Sequence, residues 1–254
     1  MKSSFRNELP RVYELKDMLE DPCHRDAFFQ DLEQTLEEPR ARAAFRKLER
    51  WLDVLDDAAW QTLKLKAVPH LVSRQREIGR GWQEHFDVLN EARAFGYLQC
   101  LDCTEVHFIE CSDNKRTPDL GALQDGRPVF CEVKTINPSD DAAQKQLRIA
   151  KGVFDVESPR LDVDEGFLRK LRATLTKALE QLDAVDRERH ARRIIFTMLN
   201  FDDWWGDHQD RYIAQIDADL LQNPLDGVAL VFCLSRKDLW QRSFTMESAT
   251  FLPE

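Results

Sequence analysis

Thr117-Pro118-Asp119-Leu120-Gly121-Ala122-Leu123-Gln124-Asp125-Gly126-Arg127-Pro128-Val129-Phe130-Cys131-Glu132-Val133-Lys134 says more about this chain than any other part of it. Asp125-Gly126 lies between two apolar runs, the strongest short-range signal for a two-residue hairpin turn. Such a turn sets a register: Gln124 opposes Arg127, Leu123 opposes Pro128 and Ala122 opposes Val129. Continued down the ladder, it puts Asp119 across from Glu132. Opposed side chains on one sheet face have Cβ atoms about 4.5–5.5 Å apart. Two carboxylates that close repel by roughly 3 kcal/mol at an effective dielectric near 20. A cation between them relieves the repulsion. Lys134, two residues past Glu132, projects from the same face. One hairpin therefore brings two acids and an amine to one spot.

The rest of the chain bounds what this hairpin belongs to. With 254 residues, 43% hydrophobic and 32% charged, it can bury a sizeable core in one large domain or two small ones. No stretch approaches the roughly eighteen apolar residues of a membrane span, and the start, Met1-Lys2-Ser3-Ser4-Phe5, lacks the apolar region of a secretory signal. The expected compartment is the cytoplasm, with no membrane partner. Six cysteines (Cys23, Cys100, Cys103, Cys111, Cys131, Cys233) are too sparse for a disulfide scaffold. A net charge of -10 weighs against a nucleic-acid partner, because phosphate binding draws on Lys and Arg. It does not exclude one, since net charge leaves the local distribution open.

Residues 9–80 read as helical. Val12, Leu15, Met18 and Leu19 mark one amphipathic run, Phe28, Phe29, Leu32 and Leu36 a second, Phe45, Leu48, Trp51, Leu52 and Leu55 a third, and Trp60, Leu63 and Leu65 a fourth. Asp21-Pro22 and Glu38-Pro39 punctuate them. From Trp82 the pattern changes: a helix to about Leu101, a strand over Val106–Glu110, a polar loop, then the hairpin. Residues 137–165 read as an irregular loop with a short helix over 142–150. A long helix follows from Phe167 to about Arg189, with Leu168, Leu171, Leu175, Leu179 and Leu182 on one stripe. Arg193–Asn200 and Gly227–Leu234 are apolar runs suited to buried strands, separated by a helix over Tyr212–Leu221. The step from Val129–Ile136 through the long helix to Ile194–Leu199 predicts a right-handed parallel crossover. The expected fold is α/β, a mixed sheet between helices, with an all-α N-terminal region: domains 1–80 and 82–254.

The Pro118-Asp119…Glu132-x-Lys134 pattern in this element order resembles the restriction-endonuclease-like nuclease superfamily, PD-(D/E)xK, over roughly residues 82–234. The resemblance implies Mg²⁺ or Mn²⁺ held by Asp119 and Glu132, with the Val133 carbonyl as an extra ligand. It implies that Lys134 helps position and deprotonate the attacking water and offsets phosphoryl charge. It adds a helix acid, Glu91, with Glu84 one heptad earlier as the rival. The implied activity is phosphodiester hydrolysis in nucleic acid, DNA first, with the N-terminal helices serving substrate choice, a homodimer or a partner protein. The alternative is an inactive nucleic-acid-binding or protein-interaction module, in which the motif is an intrasheet ion pair.

Other features compete less strongly. Gln144, Lys145, Gln146, Arg148 and Lys151 read as a polar and basic lip. Lys170 with Lys177, and the group Arg187, Arg189, Arg192 and Arg193, are candidate phosphate contacts, each more often a solvated face. Trp204-Trp205 suits base stacking, and more often core closure or a subunit contact. Cys100-x-x-Cys103 with His107 is a weak zinc signal without a second pair.

Overall fold

The structure is a computed structural model, and it describes residues 5–19, 28–72, 83–110, 117–137, 148, 162–199, 209–234, 243–245 and 250–251. The chain divides into two compact units: residues 1–102 with Val106–Phe108, and Cys103–Glu105 with residues 109–254. Composition places the junction near residue 81; the helix that follows that point belongs instead with the first unit.

The first unit is helical: α1 (Pro10–Asp17), α2 (Leu32–Glu37), α3 (Pro39–Leu52), α4 (Asp57–Ala67), a 3₁₀ turn (Val68–Val72) and α5 (Gln83–Cys100). Its starts are written in the sequence. Pro10 and Pro39 occupy the first helical turns, where a missing N–H costs nothing. Glu38 accepts from Arg40 and Ala41 N–H, and Asp56 from Ala59 N–H. The amides left unpaired by the helix at the start of α1 are satisfied from a distance: Glu49 of α3, itself buried, accepts from Arg11 N at 2.8 Å and Val12 N at 3.0 Å. The expected stripes form the core, with Val12, Leu15, Leu32, Leu36, Leu52 and Leu63 buried. Leu65, expected on the fourth stripe, is 69% exposed.

The second unit is built on a mixed sheet with strands in the order β1-β2-β3-β4-β5-β6-β7. These are β1 (Thr104–Phe108), β2 (Leu120–Gln124), β3 (Arg127–Ile136), β4 (Arg192–Leu199), β5 (Ala229–Leu234), and two short strands that the sequence pattern does not predict, β6 (Ser243–Thr245) and β7 (Thr250–Phe251). The hairpin has the expected register, Gln124↔Arg127 through Leu120↔Cys131. Asp125 and Gly126 both take positive φ, 50° and 74°, the requirement of the tight turn whose twist matches the strands. From β3 the chain crosses by α6 (Glu165–Val185) to β4, which pairs with β3 in parallel, and by α7 (Gln209–Gln222) to β5, again parallel. Phe130, Ile136, Ile195, Leu199, Leu230 and Phe232 line one sheet face, packed against Leu171, Leu175, Ala178 and Leu182 of α6 and Ile213, Ile216 and Leu220 of α7. No helix among the described residues is long and apolar enough to cross a membrane. The expected helix over 142–150 and Trp204-Trp205 lie outside the described residues.

Candidate functional site

The even-numbered residues of β3 point toward α6 and α7: Phe130 and Ile136 belong to that apolar layer, and Glu132 and Lys134 fall between them by the two-residue period. Glu132 is 0% exposed. One carboxylate oxygen, Oε1, accepts from the Lys134 ammonium; the other, Oε2, is buried with no hydrogen-bond partner among the described residues. Asp119 lies one position beyond the Leu120↔Cys131 pair, where the expected register places it. Its carbonyl accepts from Ile109 N at 3.0 Å, and its carboxylate Oδ2 accepts from Val133 N at 2.7 Å. The second bond anchors Asp119 to the backbone between Glu132 and Lys134. Burial first, and then the charge of Asp119, push Glu132 up to about 7, against the Lys134 ammonium and the Asp119 amide, which favour the ionised form.

Asp119, Glu132, Val133 and Lys134 are thus brought together. Glu91 is placed in the helical unit, on α5, where its Oε2 accepts from Lys66 Nζ at 2.7 Å. Glu84 lies 3.3 Å from His70 Nδ1 in the same unit. Among the described residues no three His, Cys, Asp or Glu side chains gather as a metal-binding group, whether around Asp119 and Glu132 or around Cys100 and Cys103. The arginine group resolves into different tasks. Arg193 is buried, donates to Asp183 and to the Gly227 carbonyl, and so ties the end of α6 to the start of β5. A Cβ at Gly227 would meet Arg193 Nη2 at 2.7 Å, at a φ of 69° that also favours glycine. Arg192 donates to Gln124. Lys170, near the start of α6, donates to the Asn137 carbonyl at 2.8 Å. Of the polar lip, only Arg148 lies among the described residues, where it is exposed. A cleft of about 580 Å³ opens between the hairpin tip and the start of β4, lined by Arg127, His190 and Arg192 among others; it lies at the end of β3 remote from Glu132.

Thr197 escapes a reading by sequence pattern. It is 0% exposed, stands across from Lys134 in the β3–β4 register, and its hydroxyl has no hydrogen-bond partner among the described residues. The available signal was a single hydroxyl in Ile194-Ile195-Phe196-Thr197-Met198-Leu199. No protein-family model, curated protein or solved structure matches this chain.

Proposed function

We propose that this chain is a divalent-cation-dependent nuclease that hydrolyses phosphodiester bonds in nucleic acid, DNA first, on a restriction-endonuclease-like sheet. One observation carries the reading: Glu132 is an acid buried in an apolar layer, with one oxygen orphaned and a second acid, Asp119, close enough to raise its proton affinity. A buried carboxylate with only one of its two oxygens satisfied, beside a second acid, is costly to keep ionised. The donor set of two carboxylates and a backbone carbonyl suits a hard cation. Asp119, Glu132 and the Val133 carbonyl would hold Mg²⁺ or Mn²⁺, which supplies charge to polarise a phosphoryl group and acidify water.

The chain's own residues then divide the remaining work. Glu132, whose pKa burial pushes up to about 7, gives up its proton near neutral pH. Val133 N–H fixes the Asp119 carboxylate by the 2.7 Å bond. Lys134, half-buried beside Glu132, offsets negative charge that develops on the phosphoryl oxygens. The helical unit is the part that serves substrate choice, self-association or a partner protein.

A second reading is a binding module without turnover. It is favoured by Lys134 already neutralising Glu132, and by the lack of a third metal-ligating side chain among the described residues. Incubation of plasmid and single-stranded DNA with Mg²⁺ separates the two. Cleavage by the wild type, abolished in Glu132→Ala and Lys134→Ala, supports the nuclease. DNA bound and left intact equally by all three proteins supports the module.

A further inference from the structure

Among the described residues, two polar atoms on one face of the sheet are buried without a hydrogen-bond partner, Glu132 Oε2 and Thr197 Oγ1. Both belong to the face that packs against α6 and α7. Thr197 sits between Ile195 and Leu199 on β4, across from Lys134 on one side and Phe232 on the other. A solitary hydroxyl is a poor choice for packing here, because valine has nearly the same shape and no donor or acceptor to strip of water. The same position is a good choice for receiving an ammonium. Lys134 has three N–H donors, one of which goes to Glu132 Oε1, and neighbouring strands lie about 4.8 Å apart, within reach of a lysine arm.

We propose that Thr197 is a positioning residue of this site: its hydroxyl accepts from Lys134 Nζ once a divalent cation takes the Glu132 carboxylate. The inference rests on the cation-site reading above. A cation on Glu132 repels the ammonium from Oε1. Among the neighbouring side chains on this face, Phe130, Ile136, Ile195 and Leu199 are apolar and offer no acceptor, and the Asp119 carboxylate is held by Val133 N–H and would be shared with the cation. Thr197 Oγ1 is the acceptor in the adjacent register position. With it, the amine stays beside the cation; without it, the amine returns to Glu132 and competes with the cation for the same carboxylate.

The test is Mn²⁺ titration of the full chain, read by the loss of the free-ion electron-paramagnetic-resonance signal, with thermal unfolding in EDTA alongside. Thr197→Val, Thr197→Ala, Thr197→Ser and Glu132→Gln are compared with wild type. Thr197→Val is expected to unfold in EDTA at the wild-type temperature or above, since an orphaned hydroxyl is removed, yet to bind Mn²⁺ about tenfold more weakly. Thr197→Ser, which keeps the hydroxyl, is expected to bind Mn²⁺ as wild type does. If Thr197→Val folds poorly, the same contrast is read between Thr197→Ala and Thr197→Ser. Wild-type Mn²⁺ affinity in the variants lacking the hydroxyl, with weak binding in Glu132→Gln, overturns the role of Thr197 and leaves the cation site standing. Absence of Mn²⁺ binding by wild type, or undiminished binding by Glu132→Gln, removes the cation site and the role of Thr197 together.

Discussion

Glu132 meets two opposed demands, an ionisable group that prefers water and a place in an apolar layer that excludes it. Its folded pKa of about 7 lies above the ordinary 4.5, so between those values the folded chain binds a proton that the unfolded chain has released. The contribution to stability is then fully present below about pH 4.5, falls as pH rises, and is gone above about pH 7. Glu132→Gln, which has no such proton to lose, is expected to remove that fall, up to about 3 kcal/mol for a shift of this size. Urea unfolding at about pH 5 and about pH 8 measures it: the wild type should lose more stability across the interval than the variant. Parallel curves would mean that Glu132 is ionised throughout. The acid and its lysine were legible from the Glu-x-Lys spacing and the hairpin register. Thr197 was not, because a threonine inside an apolar run satisfies the strand pattern whether or not its hydroxyl has a partner. Helical spacing puts Glu91 on one stripe with Phe95 and Leu98. Yet α5 also buries Asn90, Ala92, Arg93 and Ala94, so burial extends around much of the helix and the stripe does not single out one face.

The hairpin of β2 and β3 sets the geometry of the site, and its turn sets the hairpin. A one-residue slip would turn Glu132 and Lys134 to the opposite face and bring Cys131 and Val133 into their place. Gly126 holds a φ of 74°, and nothing lies within 4 Å of the point a Cβ would occupy, so alanine there meets backbone strain without a steric clash. Gly126→Ala is expected to lower stability by about 1 kcal/mol in chemical denaturation, while Asp125→Asn, which tolerates the same region, stays near wild type. An unchanged Gly126→Ala variant would show that the register is fixed by the ladder rather than by the turn. This element was readable because Asp-Gly restricts the backbone to few conformations. β6 and β7 were not, since three residues and two are too few to display a two-residue period. The crossover from β3 to β4 was readable because α6 is long and its leucine stripe is regular, and a helix between two buried strands implies parallel pairing.

Across the whole molecule, the compact units do not divide where composition changes. Arg74–Gly81 looks like a junction in sequence, but α5 beyond it is counted with the helical unit, and the chain passes from that unit to the other and back within Cys103–Phe108 before leaving it. A fragment of residues 82–254 would therefore keep α5 while losing α1–α4, leaving Ala92, Phe95 and Leu98, all buried in the full chain, without their helical neighbours. That fragment is expected to aggregate or to unfold at lower temperature than the full chain in light scattering and thermal melts; a monodisperse fragment with an unchanged melting temperature would show that α5 needs nothing from the first four helices. At this scale the net charge of -10 confines any nucleic-acid contact to a local patch. Function then depends on what the Asp119–Glu132 pair holds. Crystals of the full chain soaked in Mn²⁺ and measured for anomalous scattering address that directly. A strong anomalous peak is expected between the Asp119 and Glu132 carboxylates, displaced from Lys134 Nζ and lost in Glu132→Gln; a soaked crystal with no peak there, and Lys134 still paired to Glu132, would refute the cation site.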